Sequence, residues 1–354
     1  MPKQIFNTLL ACVLLTACNT IKEVSIDNLI PGKFNFVAGM DSVAIVNNTT
    51  IDSSRDITKE DVTNKFILYH EKSFLQGNPQ AASESLAYTL ANQKYFHQVI
   101  ICDSSLRQND TVSSARLLTQ PEIKSLCNDL HANTLISLDN IWLSVDKKSQ
   151  LVQNANMTYC YGTTDAKVYP VIRIYVPTRT APLVTLVLQD SIMWESEALT
   201  PRAVKDSMPQ LDSIKFKASS FAGELGCELI PHWVTSPRYY YSNTMNSIAQ
   251  EANYYINLGD WKRAQRLWKS QFKSSNGRAK ARMAFNIALS YEMNNSLNNA
   301  IKWIDEANSI IKTKKKKTNK VDSLEKNINY YKKILQQRIE TVSQLKIQMK
   351  ILEN

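Results

Sequence analysis

The chain has 354 residues, of which 44% are hydrophobic, 21% charged and 9% aromatic, and this composition excludes disorder for most of its length. With 8 glycines and 11 prolines, collagen-like and low-complexity classes are excluded, and 4 histidines leave little for a histidine-rich metal site. The length predicts two domains at ~150 residues each. Lys and Arg outnumber Asp and Glu by 42 to 32, a net charge of +10.

Residues 1–17 are predicted to form a signal peptide. One positive charge, Lys3, precedes an apolar run over residues 9–15, which is shorter than the ~20 residues needed to cross a bilayer. The stretch Leu15-Thr16-Ala17-Cys18 that follows resembles the lipobox of bacterial lipoproteins. This resemblance implies cleavage after Ala17 and a lipid on Cys18. The alternative is an ordinary secretory signal with a chance cysteine.

The membrane location follows from the residues after Cys18. No later stretch of the sequence reaches membrane-spanning length, so we expect a lipid-anchored protein that does not span the membrane by helices. In the usual sorting of such lipoproteins, Asp after the lipidated cysteine favours inner-membrane retention, whereas Asn19 permits transfer to the outer membrane. Residues 19–23 also lack the acidic cluster that resembles a surface-export signal. The sequence therefore favours the periplasmic face of the outer membrane, with residues 18–30 as a lipid-anchored tether.

Four cysteines remain in the mature chain: Cys102, Cys127, Cys160 and Cys227. None of them forms a CxxC pair, which argues against a structural zinc site and against a thioredoxin-like centre. In an oxidising compartment they can form two disulfides, or they can serve as small buried apolar residues. The spacing leaves both interpretations open.

Residues 31–240 are predicted to form an α/β domain. Strand-like and helix-like patterns alternate there, with strands at 42–46, 96–101 and 134–139 and helices at 80–94 and 121–130. This alternation is typical of a sheet with helices packed on it. Three further strand-like runs, at 157–161, 168–176 and 185–195, have no helices between them and predict an antiparallel meander. A last helix is expected over 212–230, with Asp212 as its N-cap.

Residues 241–354 are predicted to form an all-α domain, so the fold class is α+β. Residues 259–268 recur in register at 295–304, which places Ala264 opposite Ala300 at an offset of 36 residues. Helix pairs that repeat at ~34 residues are typical of tetratricopeptide arrays, although an unrelated helical bundle is the alternative. Because such repeats need about three units or a cap, the long last helix, about 321–352, is expected to cap the repeats or to dimerise.

Charge is concentrated in this second region. Residues 245–354 hold 21 Lys and Arg against 9 Asp and Glu, a net +12, whereas the rest of the chain has a net −2. The run Lys312–Lys320 contains six lysines. It is either a patch for anionic lipid or glycan, or a solvated loop between helices. Because the chain begins with a lipoprotein-like signal, we expect no nucleic-acid partner despite the positive charge.

A search for a catalytic site finds no recognisable motif. GxSxG, HExxH, GxGxxG and phosphate-loop patterns are absent, and the histidines lack metal-ligand spacing. Asp103 and Asp139 end neighbouring predicted strands, and His97 lies beside one, but acids at such positions are more often turn formers. We therefore expect no enzyme, no metal and no cofactor, with an unrecognised hydrolase as the remaining alternative.

The chain resembles an uncharacterised family of Bacteroidota lipoproteins, in which a domain of unknown function precedes tetratricopeptide-like repeats. The residues that carry the likeness include Pro31 with Phe34 and Phe36, the strand 43–46, the stretch 132–139, Pro231-His232-Trp233, Arg238-Tyr239-Tyr240, and Trp261, Ala264 and Trp268. The stretch 132–139 is also similar to TolB-N-terminal-like and curli-secretion-lipoprotein-like α/β domains. The resemblance supports location and architecture, and it implies no catalytic residue.

One group of residues is a candidate for packing between the two domains. Pro231, Trp233, Arg238, Tyr239 and Tyr240 stand where the domains should join, so we expect them to fix interdomain packing, with partner binding as the alternative.

The expected function is that of a non-enzymatic cell-envelope lipoprotein whose helical repeats bind a protein partner, with contributions from Tyr254, Tyr255, Trp268 and Arg282. The alternative is a subunit of an outer-membrane secretion or assembly complex that forms a homo-oligomer through its α/β domain.

Overall fold

The computed structural model describes residues 19–50, 56–60, 67–107, 116–154, 157–243, 245–313 and 323–349. The predicted signal peptide, Cys18 and residues 314–320 of the lysine run lie outside these ranges. The described chain divides into two units. A sheet unit contains Pro31–His232, and a helical unit contains residues 19–30 together with Trp233–Ile347. The protein is therefore α+β, with a sheet-rich N-terminal region and a helical C-terminal region.

The elements follow one another along the chain in this order: β1 Asn19–Ile30, β2 Ser42–Asn47, β3 Ile57–Glu60, β4 Ile67–Gln76, α1 Pro79–Asn92, β5 Gln98–Ser105, α2 Gln120–Asp129, β6 Thr134–Gln153, β7 Thr158–Tyr175, β8 Val184–Val187, β9 Asp190–Ala198, α3 Pro201–Ser207, α4 Leu211–Glu224, β10 His232–Asn243, α5 Ser247–Asn257, α6 Trp261–Ser274, α7 Gly277–Met293, α8 Leu297–Thr313 and α9 Ser323–Met349. A short 3₁₀ turn, Leu225–Leu229, follows α4.

The sheet unit is built around β2, which pairs in parallel with β5 on one side and with β6 on the other. The β3–β4 hairpin extends the sheet beyond β6. The long strand β7 pairs antiparallel with β6 and carries β8 and β9 along its other side. The parallel and antiparallel parts thus share the single strand β6.

Both faces of the parallel part are buried because alternate residues of β2 pack into different cores. Val43 and Ile45 contact the core that contains Leu86 and Leu90 of α1. Ala44 and Val46 contact the core that contains Ile123 of α2. This two-sided burial explains the continuous apolar run of β2.

Several elements of the sheet unit differ from the prediction. The predicted strands at 157–161 and 168–176 belong to one strand, β7, which runs through Gly162 without a turn. The predicted helix over 212–230 ends at Glu224, and its N-cap is Gln210 rather than Asp212, which lies in the first turn. The β3–β4 hairpin, β10 and α3 were not predicted.

The helical unit begins with a two-stranded sheet of β1 and β10. Residues 19–30, which were predicted to belong to the lipid-anchored tether, form β1. Val24 and Ile26 are half-buried, whereas the neighbouring residues Glu23, Ser25 and Asp27 are exposed. This alternation has the period of a half-buried strand. On β10, the backbone N–H of Tyr241 donates to Asn286 Oδ1 at 2.8 Å, and Asn286 Nδ2 donates to the carbonyl of Tyr241 at 2.7 Å. The buried Asn286 side chain therefore ties the strand to α7.

Helices α5 to α8 each pack against the next helix along the chain. The 36-residue offset found in the sequence is present in three dimensions. Ala264 and Ala300 are both fully buried. Gly259 and Asn295, which precede α6 and α8 by the same offset, both adopt positive φ, at 72° and 54°. Two helix pairs thus enter their second helices through equivalent turns.

Candidate functional site

Two of the four predicted partner-binding residues lie at one cavity of the helical unit. Trp268 of α6 and Arg282 of α7 both line a cavity of about 180 Å³. The remaining wall is formed by the end of β10, by α5 and by the α6–α7 connection: Tyr241, Ser242, Asn243, Asn246, Ala249, Gln271, Ser275, Ala279 and Met283. Trp268 is only 1% exposed, so it forms a rigid apolar base.

The other two predicted residues, Tyr254 and Tyr255, lie on α5 with ring centroids 5.6 Å apart in an edge-to-face pair. Neither residue lines the cavity. Tyr254 is exposed, and the guanidinium of Arg263 lies 5.3 Å from the centroid of the Tyr255 ring. They form a separate aromatic surface.

The polar wall of the cavity is held in place by hydrogen bonds within the unit. Asn246 caps α5, because its Oδ1 accepts from the backbone N–H of Ala249 at 3.0 Å. The same oxygen accepts from Gln271 Nε2 at 2.7 Å. These contacts leave amide and hydroxyl groups facing a cavity whose described lining contains no carboxylate.

Arg282 is the only described lining residue that carries a formal charge. Its guanidinium carbon lies 5.4 Å from the centroid of the Tyr241 ring. Its Nε is buried and has no hydrogen-bond partner among the described residues. Other shielded arginines of the chain each have a carboxylate partner, as in the pairs Arg107–Glu122, Arg173–Asp139, Arg238–Glu292 and Arg338–Glu292. Arg282 therefore has a cationic group with unused donor capacity.

The stretch that forms α6 and most of α7 is basic. Residues 261–291 contain eight Lys and Arg and no Asp or Glu. Lys262, Arg266 and Lys273 of this stretch are exposed on α6. A surface of one sign attracts and orients partners of the opposite sign. The region is thus electrostatically suited to an anionic partner.

A second group of ionisable residues is buried in the same unit, around Glu292 of α7. The Glu292 side chain is fully shielded, and both of its oxygens accept from the Nε of Arg238, at 3.1 and 3.0 Å. Arg338 Nη1 donates to Oε1 at 2.6 Å, and the Tyr331 hydroxyl donates to Oε2 at 2.6 Å. Burial and the adjacent Glu292 carboxylate hold the pKa of Tyr331 well above its ordinary value. This network is fully satisfied and joins β10, α7 and α9.

The residues predicted to fix interdomain packing do not share one environment. Pro231 belongs to the sheet unit, and the other four belong to the helical unit. There Trp233 and Tyr239 are 67% and 46% exposed. Arg238 pairs with Glu292, and Tyr240 is buried with its ring centroid 6.1 Å from that of Trp268. Their role between the domains stays a prediction.

In the sheet unit, Asp139 is a buried structural acid. It accepts hydrogen bonds from Ser137 and Arg173, and from Asn48 Nδ2 at 3.2 Å. The adjacent Arg107 donates to Asn48 Oδ1 at 2.8 Å and pairs with Glu122 at 3.0 Å. No side-chain placement is described for Asp103, and His97 lies beyond this network on an exposed turn. The two predicted acids are therefore not shown to form a catalytic pair.

Glu122, in the first turn of α2, forms a capping box with the N-cap residue Thr119. Burial opposes its ionisation, but hydrogen bonds from the Thr119 backbone and from Arg107 outweigh this effect and lower the pKa of Glu122 to about 2. Its charge therefore stabilises the start of the helix.

A larger cavity, of about 550 Å³, lies outside the carboxyl ends of β2 and β5. Such a position often holds ligands in α/β proteins. Here, however, the polar lining is used by the fold itself. Gln76 Nε2 donates to the carbonyl of Thr50 at 2.5 Å, and Asn78 caps α1 by accepting from Ala81 N–H at 3.0 Å. The lining also contains Asp56, which accepts from the backbone N–H of Gln76 at 2.9 Å, and the ionisable residues Glu84 and Lys215.

Cys102, Cys127, Cys160 and Cys227 are free thiols. Burial raises the pKa of Cys127 to about 11 and also raises that of Cys227, which makes both poor nucleophiles. No cluster of three His, Cys, Asp or Glu that could hold a metal occurs in the described ranges. Within the same ranges, no helix combines the length and hydrophobicity needed to cross a membrane.

Comparison with known families also separates an N-terminal from a C-terminal region of the chain. Residues 40–241, more than half of the chain, match a domain of unknown function (DUF8603). Residues 250–337 match a second domain of unknown function (DUF6340). No curated protein matches the sequence significantly. These matches agree with the expected architecture of domains of unknown function.

Proposed function

The chain belongs to the DUF8603 family of unknown function, and we propose that it acts as a non-enzymatic scaffold whose helical unit binds a protein partner. The observation that carries this proposal is the stretch 261–291, which contains eight cations and no acid and contributes Trp268 and Arg282 to the lining of the cavity. A surface with this charge favours an acidic partner protein.

The proposal interprets α5 to α8 as two tetratricopeptide-like helix pairs. It is supported by the 36-residue offset, the buried alanines at equivalent positions and the equivalent left-handed turns before α6 and α8. On this interpretation α9 is the capping helix, since Tyr331 packs 4.9 Å from Phe285 of α7. Solenoids of this kind use their inner surfaces for binding.

Reversal of the surface charge tests the proposed function in cells. The tagged full-length protein is crosslinked in intact cells, and the adducts are compared with those of a Lys262→Glu/Arg266→Glu/Lys273→Glu variant. All three residues are exposed on α6, so the fold is expected to persist. We expect a discrete adduct that is lost in this variant.

The matched control carries Lys326→Glu/Lys333→Glu/Lys346→Glu. These three residues are exposed on α9 and produce the same change in net charge. The adduct is expected to persist in the control. Equal loss in both variants, or no discrete adduct from the unaltered protein, would contradict a docking role for α6 and α7.

The location is a second part of the proposal. We place the protein at the outer membrane through a lipid on Cys18, facing the periplasm, on the basis of the lipobox-like residues 15–18, of Asn19 and of the likeness to Bacteroidota lipoproteins. Incorporation of a clickable fatty acid tests the anchor. We expect labelling and membrane fractionation that both disappear in Cys18→Ser. Unchanged labelling of that variant would remove Cys18 as the anchor.

One observation favours the alternative, a subunit that assembles through its sheet unit. Phe74 is 42% exposed and stacks on Trp142 at 5.2 Å, and Trp142 lies opposite Tyr169 in the β6–β7 register. Such an aromatic row fits an oligomer interface. Light scattering of the purified full chain tests it, with a defined oligomer expected that Phe74→Lys dissociates. A monomer at all concentrations would exclude this alternative.

A further inference from the structure

We propose that the cavity between α6 and α7 is a carboxylate-binding pocket, in which Arg282 receives a glutamate or aspartate side chain of an acidic segment of the partner. This inference rests on the proposed function and names the chemistry of the partner that it leaves open.

The first argument is the unused donor capacity of Arg282. Its Nε is buried without a partner in the described part of the chain, although an unpaired buried donor is costly. The chain pairs its other shielded arginines with carboxylates, and Arg238 shows the geometry, with Nε and Nη2 within 2.9–3.1 Å of Glu292. A planar guanidinium suits a carboxylate because two parallel N–H groups match its two oxygens.

The second argument is that contacts within the helical unit hold Arg282 in place. The guanidinium lies over the Tyr241 ring, and Tyr241 is itself held by two hydrogen bonds with Asn286. Trp268 forms the base, and Asn246 is fixed by its two contacts. Little side-chain entropy is therefore lost when a ligand binds.

The third argument is selectivity for an anion. The described lining contains no carboxylate that would repel or replace the ligand. The charged residues of the stretch 261–291, to which Arg282 belongs, are all positive, and positive charge raises the rate of encounter with an acidic segment. The cavity of about 180 Å³ is large enough for a short carboxylate side chain.

Peptide binding to the full chain tests the pocket. The probe is a fluorescein-labelled peptide of alternating glutamate and serine with an amidated C-terminus, so that only side-chain carboxylates are present. A glutamine version is the uncharged reference. Fluorescence anisotropy is measured at ~0.15 M salt, where the Debye length of about 8 Å screens diffuse attraction. We expect the glutamate peptide alone to bind.

Three variants separate a pocket from general positive charge. Arg282→Gln is expected to weaken binding by about 10- to 100-fold, because a charge-assisted hydrogen-bonded pair is lost. Arg266→Gln removes the same charge from an exposed position on α6 and is expected to change affinity by less than about 3-fold. Arg282→Lys keeps the charge without the planar fork and is expected to stay weak.

A fourth variant guards against misfolding of the arginine variants. Ala279 is exposed at the cavity, one helical turn from Arg282, so Ala279→Glu supplies an internal carboxylate that should displace the peptide. Ser270→Glu on α6 is its charge-matched control and should retain binding.

Equal effects of Arg282→Gln and Arg266→Gln, equal binding of the two peptides, or no binding by the unaltered protein would each overturn the pocket. None of these results would affect the crosslinking test of the scaffold, since a partner can dock on α6 and α7 without a carboxylate in this cavity.

Discussion

Replacing Glu292 by Gln should destabilise the helical unit more than the loss of any exposed ion pair. The Glu292 carboxylate is fully shielded and accepts from Arg238, Arg338 and Tyr331. Removal of its charge leaves the almost fully buried Arg238 guanidinium uncompensated. Breaking a buried pair in this way costs about 3–5 kcal/mol. The intact ion pairs contribute less than this to the stability of the folded unit, because the cost of burying the charges offsets part of their attraction.

Hydrogen exchange measured by mass spectrometry is the appropriate assay, because it reports on each unit separately. At about 1.4 kcal/mol per tenfold change, the expected loss lowers protection of α7 amides by about 100- to 4,000-fold. Amides of β6 in the sheet unit serve as the internal reference. The control is Asp305→Asn, which removes the half-exposed pair with Lys332 and should cost no more than about 1 kcal/mol.

The reasoning would be refuted if Glu292→Gln and Asp305→Asn changed α7 protection equally. It would also be refuted if the Glu292 variant were as stable as the unaltered protein, because the arginines would then have another source of compensation.

Three further predictions concern single side chains. Gly223→Ala should destabilise the sheet unit by about 1–3 kcal/mol in urea unfolding, because the new Cβ would collide with the Ala82 carbonyl. The control Lys217→Ala, at an exposed position, should be near neutral. A stabilised Gly223 variant would contradict the close helix contact. Because the pKa of Tyr331 is raised, its contribution to the stability of the helical unit is present below pH 10 and is lost as the pH rises above that value. Tyr331→Phe should therefore make the protection of α7 amides decrease less at alkaline pH. An unchanged pH dependence would show that Tyr331 is not its source. Glu122, with its pKa lowered to about 2, stabilises the sheet unit above pH 4.5, and this effect is lost as the pH falls towards 2. In Glu122→Gln, the protection of α2 amides from hydrogen exchange should therefore decrease less on acidification. An equal decrease in that variant would exclude the Glu122 charge as its cause.

Local patterns were sufficient to predict the elements that bury a continuous or periodic apolar face. The strand at 42–46 and the helix at 80–94 were recognised because their apolar residues repeat at the period of the element. The β3–β4 hairpin was missed because residues such as Glu71 and Lys72 give β4 a polar character. Its pairing is supplied by β6, whose partner residues lie 66 to 83 positions away in the sequence.

The candidate site was predictable only in part. Trp268 and Arg282 were selected from the sequence, and the fold brings them to one cavity. The network around Glu292 was not predicted, since no local signal marks an acid within a helix as buried. Its partners Arg238 and Arg338 lie 54 residues before it and 46 residues after it, so only tertiary packing identifies them.

Site-specific photo-crosslinking in intact cells tests the central claim most directly. A photoreactive phenylalanine derivative replaces Lys273, exposed on α6, or Tyr88, which is 72% exposed on α1 in the sheet unit. The account predicts a discrete protein adduct from position 273 and none of the same mass from position 88. An adduct from position 88 alone, or identical adducts from both positions, would contradict a partner-binding surface on the helical unit.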